Sequence, residues 1–212
     1  MAITEDTILK LHFSAPRHSE DGSITAFSSF AAALSDARNA TGRDKNGNIL
    51  DPSKRGSWLG AVGYMILLDQ IGSCFKPTLV DPVVGNGFIK ALKYFSSLPN
   101  TCIEALYALR CAFAHDFSLF NRNTENELRM HRFEVRIGNS EDVVVFPPVR
   151  WDGNFSNIHD DNTTIIYLDT FGLLVETLCA KLYSLYTSGE LEVTLPGKTD
   201  ELFYRYSNAS KP

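Results

Sequence analysis

Cysteine is scarce in this chain: Cys74, Cys102, Cys111 and Cys179 stand far apart, and no C-x-x-C pair occurs. That spacing argues against zinc ribbons and dithiol redox motifs, and it predicts reduced thiols among apolar neighbours. No apolar run reaches the length of a bilayer span, and the opening residues, M-A-I-T-E-D-T, are acidic with no apolar stretch of the kind a secretory leader needs. The expected location is therefore the cytosol, with no membrane partner. The Asn-x-Ser/Thr triplets at Asn154, Asn162 and Asn208 read as chance matches. Positive charge is not in excess either, since 20 Lys and Arg against 25 Asp and Glu leave a formal charge of -5 and a pI near 5.5. This balance argues against a duplex-DNA binder that neutralises phosphates broadly, while leaving room for a small local basic site.

What the chain does have is helical patterning. With 212 residues, 44% of them hydrophobic, it can bury a core, and its length fits one domain, 1–212. The clearest stretch runs from Thr101 to Asn121, where Ile103, Leu106, Leu109 and Phe113 recur at helical spacing with no Gly or Pro before Asn121. Asn100 or Thr101 fits its N-cap. Arg110 and His115 stand near the end of this stretch, about 140° apart at about 100° per residue. Ala108, Cys111, Ala112 and His115 share a face of small residues, which would let a second helix or a ligand approach.

Elsewhere, Ile3–Phe13 reads as a short strand or irregular arm, with His12 and His18 as surface residues. An amphipathic helix is expected from Ser23 to Thr41-Gly42. It is followed by a turn-rich loop whose basic residues (Arg38 at its edge, Arg43, Lys45, Lys54, Arg55) read as a solvated edge rather than a phosphate contact. Ser57–Phe75 is apolar nearly all round, a buried helix in which Gly60 and Gly63 permit close packing. A further helix is expected from Phe88 to Leu98. Alternation from Leu128 to Ile137, the turn Gly138-Asn139-Ser140 and the return V-V-V-F-P-P-V predict a β-hairpin inserted at about 127–147. A last helix from Thr163 to Ser188, a short strand L-E-V-T-L and a polar tail complete the chain. The sum predicts a mainly α fold, an up-and-down all-α bundle of about five helices with one inserted hairpin.

The run L-R-C-A-F-A-H-D-F-S-L, with Arg-x-x-x-x-His near a helix end, resembles the HEPN superfamily of small helical domains. Many of these are metal-independent endoribonucleases of toxin, phage-defence and CRISPR-linked systems. Cys111 occupies the position where that family usually carries Asn, Asp or His. The resemblance implies a homodimer that meets through the 101–117 helix, with one cleft built from two copies of Arg110 and His115. There, the imidazoles would move protons at the ribose 2′-hydroxyl and the leaving 5′-oxygen, while Arg110 would hold the phosphate. It also implies RNA as substrate, a possible protein antitoxin or effector partner, and no cofactor or metal. Asp116 and Asn121, with Cys111, are secondary candidates for orienting or binding.

Three other readings stand beside it. Arg110 pairs with Glu104, Asp69 or Asp116 while His115 merely ends the helix, where a cation is favoured. Alternatively, the pair is the anion clamp of a non-catalytic dimeric module that binds a nucleotide or a protein. Lastly, His115-Asp116 matches the doublet of an HD-type metal phosphohydrolase, although no histidine lies between His18 and His115 to complete it and His159-Asp160-Asp161 sits in a polar loop.

Overall fold

In a computed structural model the described residues are 4–15, 17–18 and 24–209. Thr4 caps the first helix, α1 (Glu5–Phe13), its hydroxyl accepting from the Thr7 amide, and Ile8, Leu9, Leu11 and His12 turn inward. After β1 (Arg17–His18) and β2 (Ile24–Ser28), the Ser28 hydroxyl caps α2 (Ser29–Thr41). That helix stops at Gly42, whose left-handed backbone (φ 68°) lets its amide reach back to the last carbonyls. The chain continues through α3 (Trp58–Cys74), β3 (Phe75–Pro77), α4 (Gly87–Phe95), α5 (Asn100–Asp116), β4 (Phe120–Asn121) and β5 (His131–Arg136). It closes with β6 (Val144–Val145), β7 (Thr163–Tyr167), α6 (Leu168–Thr187), β8 (Leu191–Val193), α7 (Lys198–Tyr206) and β9 (Ser207–Ala209).

The architecture is mixed α/β, with seven helices and three sheets among the described residues, and not the all-α bundle expected from periodicity. Most of the pairing responsible is long-range. Strand β9, near the C-terminal end, lies antiparallel on β2, and β8 pairs with β3 across more than a hundred residues. The expected hairpin is also replaced. Strands β5 and β6 do not touch, because β7 lies between them, parallel to β5 and antiparallel to β6, in the order β4-β5-β7-β6. Residues Thr163 to Tyr167, read as the start of the last helix, form that central strand. The run T-T-I-I-Y is β-branched and aromatic, which suits a buried strand. The arm at the start is helical, the front of the expected second helix is strand β2, and the tail contains α7; Ile3 and Ser23 lie outside the described residues.

Helix α3 is the hub. Leu67, Leu68, Ile71 and Cys74 have no exposed surface, and burying each of the aliphatic three stabilises the fold by about 1.5–3 kcal/mol. Its glycines do what the sequence suggested. A Cβ on Gly60 would sit 2.4 Å from the Thr41 methyl, and one on Gly63 would sit 3.1 Å from Ala37, so α2 and α3 touch almost backbone to backbone. No helix among the described residues is long and apolar enough to cross a membrane.

His12 is a correction of another kind. It is fully buried rather than on the surface, ringed by Phe13, Phe30, Phe75 and Tyr206, and neither ring nitrogen has a hydrogen-bond partner. Burial pushes its pKa down to about 3. The side chain of His18 lies outside the described residues.

The basic loop is corrected as well. Three of its arginines turn inward onto two carboxylates of α6. Arg43 and Arg55 both reach Asp169, at 3.4 and 2.5 Å, and Arg38 forks onto Glu176, which also accepts from the Tyr64 hydroxyl at 2.9 Å. Lys45 and Lys54 stay exposed.

Candidate active site on the α5 helix

Helix α5 begins after Pro99, with no side-chain cap at that position, and ends where Phe117 takes a left-handed conformation (φ 56°). A glycine is the usual occupant there, and a phenylalanine costs about 1–2 kcal/mol. Trp58 offsets that cost by stacking on Phe113, centroids 5.0 Å apart, and lying 6.2 Å from Phe117. The aromatic cluster fixes the last turn of α5, and with it His115 and Asp116, against the start of α3.

Along α5 the apolar residues Ile103, Leu106, Leu109 and Phe113 are buried, and so are Ala108 and Ala112. The small-residue face expected to receive a second helix is thus partly covered by the chain itself. Asn121 lies over it, its side-chain amide donating to the Ala108 carbonyl at 2.8 Å. The face left open consists of Tyr107, Arg110 and Cys111, half-buried, and Ala114 and His115, exposed. Arg110 and His115 mark its two edges, so the roughly 140° between them is the width of one open face rather than a separation onto different faces.

Arg110 is held from α3. Its Nε lies 2.9 Å and one terminal nitrogen 2.8 Å from Asp69 Oδ2, while the other oxygen of Asp69 accepts from the Phe88 amide at 3.1 Å. One carboxylate therefore ties α3, α4 and α5 together. Of the three carboxylates named as possible partners, Asp69 is the one engaged. Glu104 is taken by Arg129, at 2.6 Å, and that guanidinium lies over the Tyr107 ring at 4.5 Å from its centroid. Burial raises the pKa of the Tyr107 hydroxyl, and the neighbouring Cys111 thiol adds to the effect. Asp116 accepts from the Ser118 amide at 3.0 Å in the turn that follows the helix. His115 makes no hydrogen bond or ion pair with the described residues and projects into solvent.

The structure thus gathers Arg110, Cys111 and His115 on one surface, with Asp116 just beyond, and withdraws Asn121 into a backbone contact. The HD-type alternative finds no geometric support: among the described residues no three His, Cys, Asp or Glu side chains are grouped to hold a metal ion. The deeply buried cysteines are poor nucleophiles, since burial pushes Cys74 up to about 11 and Cys179 up to about 12.

Nothing matches this chain among protein-family models, curated proteins or solved structures.

Sequence reasoning passed over Tyr107, and it read Arg129 as more at home solvating the outer face of the expected hairpin than flanking the site, whereas Arg129 pairs with Glu104 of α5 and lies over the Tyr107 ring. It also missed the inward turn of the loop arginines. The signal for the latter was present. Asp169 and Glu176 are seven residues apart, two helical turns, among apolar positions of the last helix, and buried carboxylates require cations.

Proposed function

We propose that the open face of α5 cleaves RNA phosphodiester bonds without a metal, in the manner the HEPN resemblance implies, with two chains each supplying Arg110 and His115. One observation carries this reading: Arg110 and His115 border a single solvent-open face, with the arginine already oriented by Asp69 and the imidazole uncommitted. Asp69 engages the Nε edge of the guanidinium, which leaves its remaining N–H groups to meet a phosphate. A neutral imidazole takes the 2′-hydroxyl proton, the 2′-oxygen attacks phosphorus, and the protonated imidazole of the second chain donates to the departing 5′-oxygen. The products are a 2′,3′-cyclic phosphate and a 5′-hydroxyl, and no water is consumed in the step. Two imidazoles in opposite protonation states give a bell-shaped pH profile.

In such a dimer the helices meet through Cys111 and Ala114, since the chain itself covers Ala108 and Ala112. A cytosolic toxin or phage-defence setting, with an antitoxin or effector protein as partner, belongs to the same proposal. The test is to incubate the purified protein with end-labelled RNA in EDTA and identify the product ends. Cyclic phosphate ends that disappear in Arg110→Ala support the reading, and cleavage abolished by EDTA contradicts it.

A second reading rests on the same ion pair. Because Asp69 neutralises Arg110, the face also suits a non-catalytic dimeric module that clamps an anionic nucleotide or protein segment. Binding of RNA with no cleavage of any substrate would favour it.

A further inference from the structure

Away from the open face of α5, strands β5 and β7 and the segment following β6 line a cavity of about 310 Å3. Leu128, Phe146 and Pro147 give it apolar walls, and Phe146 is 41% exposed. Its two ends are polar and differ in kind. At the floor lie His131 and Thr164, both buried. His131 Nε2 is 2.9 Å from the Leu128 carbonyl, which can only accept, so Nε2 carries the proton. Nδ1 must then accept, and the Thr164 hydroxyl, 2.9 Å away, donates to it. With its proton committed, Thr164 Oγ1 has only lone pairs to offer the cavity. Burial also lowers the pKa of His131, which keeps the ring neutral and this arrangement fixed.

At the mouth stands Arg150. Its ion pair with Glu127 is long, 3.5 Å, and the Glu127 side chain is 81% exposed, so most of the arginine's donors remain free for a ligand. The cavity therefore accepts hydrogen bonds at depth, is apolar in the middle, and donates with positive charge at its entrance.

We propose that this cavity binds a nucleotide, with an N–H edge of the base on Thr164 Oγ1, the ring against Phe146 and the phosphate on Arg150. The volume lies at the small end of the range for ligand sites, which suits one nucleotide and no more. Thr101 also lines the cavity and precedes His115 by fourteen residues of α5, so the two sites are ~21 Å apart along the helix at about 1.5 Å per residue. The proposal does not depend on cleavage at His115. A free mononucleotide and the terminal nucleotide of an RNA strand present the same chemistry here.

Calorimetric titration of the intact protein with CMP, UMP, AMP and GMP, with the matching nucleosides and with a 5′-phosphorylated RNA trinucleotide tests the site. The expected result is one site per chain, with a monophosphate bound about tenfold more tightly than its nucleoside. Arg150→Ala removes that tenfold and spares the nucleoside, Phe146→Ala weakens both, and His115→Ala alters neither. Phe146 and Arg150 are exposed, so an unchanged unfolding midpoint lets these losses be read as affinity. A trinucleotide that binds more tightly than the mononucleotide, with the same Arg150 dependence, identifies a strand end as the ligand, and one that binds less tightly identifies the free nucleotide. The proposal is overturned if no probe binds at millimolar concentration, if affinity ignores both Arg150 and Phe146, or if Arg110→Ala rather than Arg150→Ala abolishes it.

Discussion

Arginines at two places in the molecule are treated differently. Between α2 and α6, Arg43 is buried and Arg38 and Arg55 partly so, and Asp169 and Glu176 answer all three from nearly buried positions. On α5, Arg110 meets a single carboxylate, and each partner of that pair keeps about a quarter to a third of its surface in water. The first group holds the loop after α2 down onto α6, onto carboxylates that are themselves buried. The second is oriented yet accessible. Proximity of basic residues in sequence does not separate these roles; burial of the carboxylate partner does. The histidines repeat the lesson, since His12 is sealed among aromatic rings and His115 is open.

The comparison breaks most visibly in stability. Asp169→Asn leaves the buried Arg43 and the partly buried Arg55 without a counter-charge and should cost about 3–5 kcal/mol in urea unfolding. Asp69→Asn, at the open pair, should cost about 1 kcal/mol or less. Equal costs would erase the distinction between the two groups.

Acid sharpens the contrast between the histidines. The folded-state pKa of His12 is about 3 against 6.5 when unfolded, so between those values the unfolded chain binds the extra proton. The contribution of His12 to stability is fully present above about pH 6.5 and is lost as pH falls, by up to about 1.4 kcal/mol per pH unit. An unfolding midpoint followed from pH 7 to 4 should drop in the wild type and drop less in His12→Leu, which also removes two unpartnered buried nitrogens. The smallest stability effect belongs to His115→Ala, within about 0.5 kcal/mol of wild type, as for any exposed side chain without partners.

How much of this was legible follows the range of the interactions involved. Helices α3, α4 and α5 announce themselves because a helix writes its pattern within a few turns, and the stop at Gly42 follows from the left-handed conformation it adopts. Strand β7 was hidden because Ile165 continues the apolar stripe of α6, and only its distant partner β5 distinguishes strand from helix there. The hairpin failed for a related reason: a turn signal at Gly138-Asn139-Ser140 says that the chain reverses, not that the returning strand lies next to the outgoing one. On α5 the residue types were legible, whereas the burial of Ala108 and Ala112 was not, since Asn121, which covers part of that face, belongs to a strand paired with β5.

The central claim is that the open face of α5 performs chemistry. Its most direct test is the rate of 2′,3′-cyclic phosphate formation from RNA in EDTA, compared between the wild type and His115→Ala at matched unfolding midpoints. The account predicts a loss of about a hundredfold or more, the usual worth of a general acid or base. Equal rates in the two proteins would contradict it.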